Sequence, residues 1–340
     1  ASQLQDHLQR HVAILANAEA RMLISFSRAR QVARLLQSQL VCLDAVVTVA
    51  ELMAEPQLQR PEVLKPTELA LLQYTSGSTG NPKGVQLTHA NLLANIRAMG
   101  AAVKADSDDV FVSWLPLYHD MCLIGAWLGS LYFAFSLVLM SPLAFLARPQ
   151  RWLWAIHQHR GTLSAAPNFA YELCLQRLAD DQLEGLDLSS WRMAFSGAEP
   201  VSPDTVRRFS NRFGRYGLSS HAIAPVFGLA ESSVGLAFPP PGRPVIIDRV
   251  ARQTLARDGR AVPAGASDRQ ALEFVACGRP LIGHEIRIVD AAGAELGERQ
   301  EGRLQFRGPS ATSGYYHNPH ETRRLFDGDW LETGDLAYLV

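Results

Sequence analysis

The chain has 340 residues, of which 47% are hydrophobic and 19% charged, with a formal net charge of −1. That is enough chain for one large domain or two ordinary ones, and its charge balance gives no footing for nucleic acid or an anionic membrane surface. Cys42, Cys122, Cys174 and Cys277 stand far apart without CxxC spacing, which speaks against zinc and a disulfide framework and fits a reduced, cytoplasmic setting.

In chain order, residues 1–19 read as a polar helix with no signal-peptide character, 22–27 as a short buried strand, 29–39 as a helix and 41–49 as a strand. This βαβ rhythm implies a parallel sheet covered by helices. Pro56, Pro61 and Pro66 mark a loop. An apolar strand over 69–74 then breaks into a loop rich in Thr, Ser and Gly, and a helix opens near Thr88. The rhythm resumes with helices over 90–101, 121–131, 149–159, 168–178 and 202–213. Strands alternate with them over 110–115, 136–140, 162–166, 191–196 and 222–226. From Leu272 the pattern becomes antiparallel, with strands over 285–289 and 302–306 and glycines at the turns. Residues 239–270 give no readable pattern. From Met121 to Ala147 no residue is charged, which meets the length of a membrane span. Gly125, Gly129, Ser130, Ser136 and Pro142 dilute or interrupt the run, so a buried helix followed by a buried strand is the expectation. The segments expected are 1–66, a βα part; 67–238, the central nucleotide- and acyl-binding part; and 239–340, an irregular segment plus a β-subdomain. Both ends interrupt the α/β pattern and read as cut.

Chemistry concentrates in five strings. The first runs Thr75-Ser-Gly-Ser-Thr-Gly-Asn-Pro-Lys83. Small hydroxyl residues and glycines let backbone N–H and side-chain O–H groups converge on one anion, and Lys83, expected to face solvent, adds a point charge suited to phosphate. Lys83 is followed by Gly84, so this is not a Walker loop. Composition by itself also describes a plain Gly/Ser turn. The second, Trp114-Leu-Pro-Leu-Tyr-His-Asp-Met-Cys-Leu-Ile-Gly125, lies at a strand end, where open α/β sheets place ligands. The third, Ser196-Gly-Ala-Glu-Pro200, offers a bare backbone edge to a flat ring. In the fourth, Phe227-Gly-Leu-Ala-Glu-Ser-Ser233, a ring suited to stacking precedes a carboxylate suited to Mg²⁺. The fifth, Trp330-Leu-Glu-Thr-Gly-Asp335, places an acceptor carboxylate after a tight turn; on its own it is also an ordinary turn.

The ordered set resembles the adenylate-forming enzymes: acyl-CoA synthetases, adenylation domains, luciferases and, most closely, fatty acyl-AMP ligases. The resemblance implies an α/β fold of layered, parallel-rich sheets covered by helices, with a smaller antiparallel β-subdomain toward the C-terminus. It assigns Thr75, Ser76, Gly77, Ser78, Thr79, Gly80 and Lys83 to the ATP phosphates. Gly197, Ala198, Glu199, Phe227 and Gly228 go to adenine, Asp335 to ribose, Glu231 to Mg²⁺, and His119 to the carboxylate being activated. Cys122 stands where relatives commonly have Gly, and Phe227 and Ala230 where many have Tyr and Thr.

The implied reaction is attack of a fatty acid carboxylate on the α-phosphorus of ATP. Acyl transfer would follow to an acyl carrier protein, or to a carrier domain of a polyketide or nonribosomal synthase. Catalysis is then charge neutralisation and positioning by His119, Lys83 and Glu231. The string Ser164-Ala-Ala-Pro-Asn-Phe-Ala-Tyr-Glu-Leu-Cys174 favours the acyl-AMP ligase branch, with 121–147 and 168–178 lining an acyl tunnel. An acyl-CoA synthetase is the alternative, followed by an amino-acid adenylation domain, whose acidic group would have to be Glu172, and a non-catalytic nucleotide-binding module. The family's adenylation lysine lies in a small C-terminal domain beyond the ribose Asp. Lys65, Lys83 and Lys104 all precede Asp335, so the expectation is a fragment that binds ATP and adenylates slowly.

Overall fold

A computed structural model describes residues 2–54, 63–75 and 82–340. The chain divides into two compact units, residues 1–90 with 312–324 and residues 91–311 with 325–340.

In the first unit, helix α1 (Ser2–Asn17) leads to β1 (Met22–Ser25), α2 (Arg30–Gln37) and β2 (Ala45–Thr48). The two strands pair in parallel, as the βαβ rhythm requires. The expectation of a buried strand fails at β1, where Met22 and Ile24 are 51% and 56% exposed. After α3 (Val49–Ala54), strands β3 (Leu69–Thr75) and β4 (Lys83–Thr88) form an antiparallel pair in which Thr75 faces Lys83. Sequence reading expected the loop to run straight into a helix. The missed strand alternates, with Val85 and Leu87 fully buried two residues apart. Helix α4 (His89–Val103) follows directly, as expected near Thr88.

The second unit is built on a five-stranded parallel sheet in the order β6-β5-β7-β8-β9. Its strands are β5 (Val110–Ser113), β6 (Ser136–Leu139), β7 (Leu163–Ala166), β8 (Met193–Ser196) and β9 (Ile223–Pro225). Every residue of β7, β8 and β9 is buried, the signature of a sheet covered on both faces. The uncharged run Met121 to Ala147 is four short pieces: π-helical Met121–Leu128, α5 (Gly129–Phe133), β6 and α6 (Pro142–Ala147). Among the described residues no helix is long and apolar enough to cross a membrane. Helices α7 (Gln150–Gln158), α8 (Asn168–Arg177) and α9 (Pro203–Gly214) cover the sheet. Ser202 caps α9 by accepting from the Thr205 N–H at 3.3 Å, with Pro203 beginning the helix. The core is aromatic, and its polar atoms are mostly matched. Trp152 donates to Ser164 Oγ at 2.9 Å, Trp191 to the Met193 carbonyl at 3.0 Å and Tyr171 to the Phe195 carbonyl at 2.7 Å.

After β10 (Ala237–Phe238), strand β11 (Ile247–Val250) and helix α10 (Arg252–Asp258) lie in the stretch that sequence left unread. There β11 pairs antiparallel with β12 (Leu272–Val275), and β10 pairs with β13 (Arg279–Pro280). The expected β-subdomain is a four-stranded antiparallel sheet, β14 (Glu285–Val289), β15 (Gly302–Arg307), β17 (Trp330–Ala337) and β16 (Phe326–Asp327) in spatial order. Helix α11 (Pro319–Leu325) precedes β16.

Candidate active site

The phosphate-loop string begins and ends in the first unit. Thr75 closes β3 and Lys83 opens β4, so backbone pairing holds the two ends of the string side by side. Ser76, Gly77, Ser78, Thr79 and Gly80 lie outside the described residues. Lys83 does not face solvent as expected. Its Nζ lies 2.5 Å from Glu321 Oε2, with the two side chains only 15% and 16% exposed, and 5.1 Å from the centre of the Tyr315 ring. The ammonium draws the Glu321 carboxyl below the usual range.

The other four strings lie in the second unit. At the C-terminal ends of its parallel strands a cavity of about 280 Å³ opens, lined among others by His119, Asp120, Ala198, Phe227 and Gly228. Open α/β sheets hold ligands at this position. Two glycines are explained by close approach. A Cβ on Gly197 would come within 2.9 Å of Val226, and one on Gly228 would overlap the Val234 carbonyl. Ala198 is left-handed at φ 64°, which turns the backbone edge out of β8. Glu199 Oε1 accepts from the Phe169 N–H at 2.6 Å, at the first turn of α8.

His119 Nδ1 lies 2.8 Å from Asp120 Oδ1. This hydrogen bond holds the imidazole above its ordinary pKa, against the opposing effect of burial. Sequence reading did not single out Asp120. The one acid in the expected tunnel segments, Glu172, is engaged elsewhere: it binds Arg208 at 2.7 Å and Thr205 at 3.1 Å, and it is not among the cavity's lining residues. Helix α8 likewise contributes nothing to that lining.

Phe227 and Glu231 sit on a loop folded back on itself. Phe227 N–H donates to the Ala237 carbonyl at 2.9 Å. At its tip Ser233 has φ 64° and ψ −64°, and Val234 N–H donates to the Ser232 carbonyl at 2.8 Å. This is the strained, positive-φ form of γ-turn. A buried polar network holds it. Ser310 Oγ lies 2.5 Å from His284 Nε2, 3.0 Å from Asn95 Nδ2 and 3.2 Å from Ser232 Oγ. Asn95 also exchanges two hydrogen bonds with Gly235, and Ser233 Oγ donates to the Ser310 carbonyl. His284 Nδ1 lies 3.1 Å from the Ile282 carbonyl, which can only accept, so in the neutral ring that burial favours Nδ1 carries the proton and Nε2 accepts. The only sequence trace of this network is Asn95, a polar side chain in the apolar register of α4.

Asp335 is carried by a strand, where sequence reading placed a tight turn. Between the pairs Arg303↔Leu336 and Gln305↔Glu332, three residues of β17, Thr333, Gly334 at φ 83° and Asp335, stand against the single Leu304 of β15. This bulge presents the carboxylate. Surrounding protein raises its pKa despite a hydrogen bond from Thr333.

The fold and the site geometry define an α/β nucleotide-binding enzyme architecture. Residues 5–316 match the model of the AMP-binding enzyme family, and the chain belongs to that family. It is 38% identical over 291 residues to a medium-chain-fatty-acid–[acyl-carrier-protein] ligase of Moorena producens, covering 83% of this chain and 49% of that protein. A fatty acyl-adenylate ligase from a study of the Escherichia coli and Legionella pneumophila enzymes superposes with TM-score 0.93 and 36% identity, covering 100% of this chain and 61% of that one. The L. pneumophila fatty acyl-adenylate ligase in complex with acyl adenylate and pyrophosphate gives TM-score 0.88 at 31% identity, over 98% of this chain and 59% of that one. The chain spans about half the length of the curated relatives it matches.

Proposed function

We propose that the protein joins a medium- or long-chain fatty acid to AMP with release of pyrophosphate, then passes the acyl group to an acyl carrier protein or carrier domain. The observation that carries this reading is the cavity. At its mouth the polar side chains of His119 and Asp120 stand beside Ala198, Phe227 and Gly228, and its body is apolar, lined by Val103, Phe111, Phe133 and Phe135. A fatty acyl-adenylate has the same division.

The residues fit ATP. Gly197 and Gly228 let Val226 and the Val234 carbonyl pack against the backbone there, and Phe227 supplies a ring for adenine. His119, whose pKa Asp120 raises, would attract the substrate carboxylate into line when protonated. Thr75 to Gly80 and Lys83 take the phosphates, Asp335 the ribose. Among the described residues no group of three or more His, Cys, Asp or Glu side chains is placed to hold a metal. The Glu231 carboxylate suits Mg²⁺, an ion that binds through one or two carboxylates plus substrate phosphates. Bound there, Mg²⁺ would neutralise phosphate charge. The acid at the cavity, Asp120, is engaged by His119, which disfavours an amino-acid substrate needing a free carboxylate for its ammonium. Four free cysteines suit a reducing, cytoplasmic setting.

The acceptor is tested by offering the intact protein, with ATP, Mg²⁺ and a medium-chain acid, either phosphopantetheinylated carrier protein or coenzyme A. Mass spectrometry should find acyl carrier protein accumulating. Stoichiometric acyl-CoA would promote the synthetase reading.

A further inference from the structure

One aromatic side chain, Phe133, lines the end of the cavity's apolar body. Its floor is a single face of the parallel sheet: Phe111 of β5, Leu163 and Ala165 of β7, and Phe195 of β8. Its roof is two helical stripes. Ile96, Met99, Gly100 and Val103 of α4 recur at helical spacing, as do Met121, Gly125 and Gly129 across the neighbouring helical segments. The mouth residues Ala198, Val226 and Phe227 follow the C-terminal ends of β8 and β9, whereas Phe111 and Leu163, partners across β5 and β7, stand at the opposite ends of theirs. The cavity therefore runs the length of the sheet, away from the adenylate.

At that far end Phe133 leans on α4. A Cβ built on Gly100 would overlap the outer edge of the Phe133 ring, so the ring occupies the notch that glycine leaves. Phe133 stacks on Phe135 with centroids 6.4 Å apart and planes 4° from parallel, and Tyr132 meets its edge at 4.9 Å. The ring is only half-buried, so its removal would open the blind end. Gly125 is the reverse case. It lines the cavity, and nothing lies within 4 Å of where its Cβ would be.

We propose that Phe133, seated against Gly100, is the stop that sets the upper length of the acyl chain, and that Gly125 is the bare wall that lets the chain reach it. The cavity of about 280 Å³ lies just below the range of about 300 to 1,000 Å³ usual for ligand sites, which suits an acyl chain of limited length. The proposal rests on the fatty-acid reading and goes beyond it by naming the residues that select among fatty acids.

The test is acid-dependent pyrophosphate release by the intact protein over straight-chain acids from butyric to hexadecanoic. Binding of non-hydrolysable acyl-adenylate analogues over the same lengths is measured in parallel. The wild type should fall about tenfold or more per methylene once the chain meets the stop. Phe133→Ala should move that fall to longer acids, and Gly125→Leu, whose side chain enters open space, should move it to shorter ones while the shortest acids still bind. Unchanged cut-offs in both variants, with fatty acids still accepted, would overturn the gauge and leave the fatty-acid reading intact. No response to any acid by a protein that binds ATP would overturn both.

Discussion

Ser310→Ala tests whether the Phe227–Glu231 loop is held by the buried network beneath it. The lost hydroxyl contacts His284 Nε2, Asn95 Nδ2 and Ser232 Oγ. Asn95 keeps its bonds to Gly235, but one of its N–H groups and the His284 acceptor lose their partner in a site closed to water. Two orphaned buried groups at about 1–3 kcal/mol each give about 2–6 kcal/mol, with the lower half expected after relaxation. Urea unfolding of the 340-residue chain should show a lower midpoint with an unchanged slope. The γ-turn at Ser233 is strained and borders Glu231, so ATP affinity should fall as well. Loss of less than about 1 kcal/mol, below the range for even one orphaned group, together with unaltered ATP affinity, would refute the reasoning.

Three further predictions follow from individual contacts. The His119 pKa is raised above 6.5 by Asp120, so its charge, and the stability it contributes, is present at lower pH and lost as pH rises through the raised value. KM for the fatty acid should climb over that window, and His119→Asn should abolish the dependence; an unchanged profile would remove His119 from carboxylate binding. Lys83→Ala should weaken ATP and pyrophosphate binding by about 1.5–3 kcal/mol. Because Lys83 is paired with Glu321, it should also lower stability, an effect that Lys83→Ala does not add in a Glu321→Gln background; additive losses in this double-mutant cycle would show the pair to be uncoupled. Gly228→Ala should cost several kcal/mol or displace the loop, since its Cβ overlaps the Val234 carbonyl; wild-type stability and ATP affinity together would contradict the loop geometry.

How far the sequence reached depended on the range of the interaction. The parallel strands were legible because burial on both faces leaves nearly continuous apolar runs such as Met193-Ala-Phe195. The family emerged because its five strings are local. Strand β4 was hidden by the Thr-Ser-Gly loop before it, whose composition drew the reading toward a strand–loop–helix unit. Thr333-Gly-Asp335 read as a turn because a bulge uses the same residues; only its partners on β15 reveal a strand. Partnerships between distant residues left no signal at all. Lys83 with Glu321 is separated by 238 positions and Asn95 with Ser310 by 215. The seat of Phe133 on Gly100 also depends on how two helices pack.

The most direct test of the central claim is acyl-adenylate formation itself. Incubated with ATP, Mg²⁺ and decanoic acid, the intact protein should yield decanoyl-AMP and pyrophosphate in equal amounts, and Glu231→Ala should abolish both. Nucleotide binding without any acyl-AMP, for every carboxylic acid offered, would contradict the account and leave a nucleotide-binding module in its place.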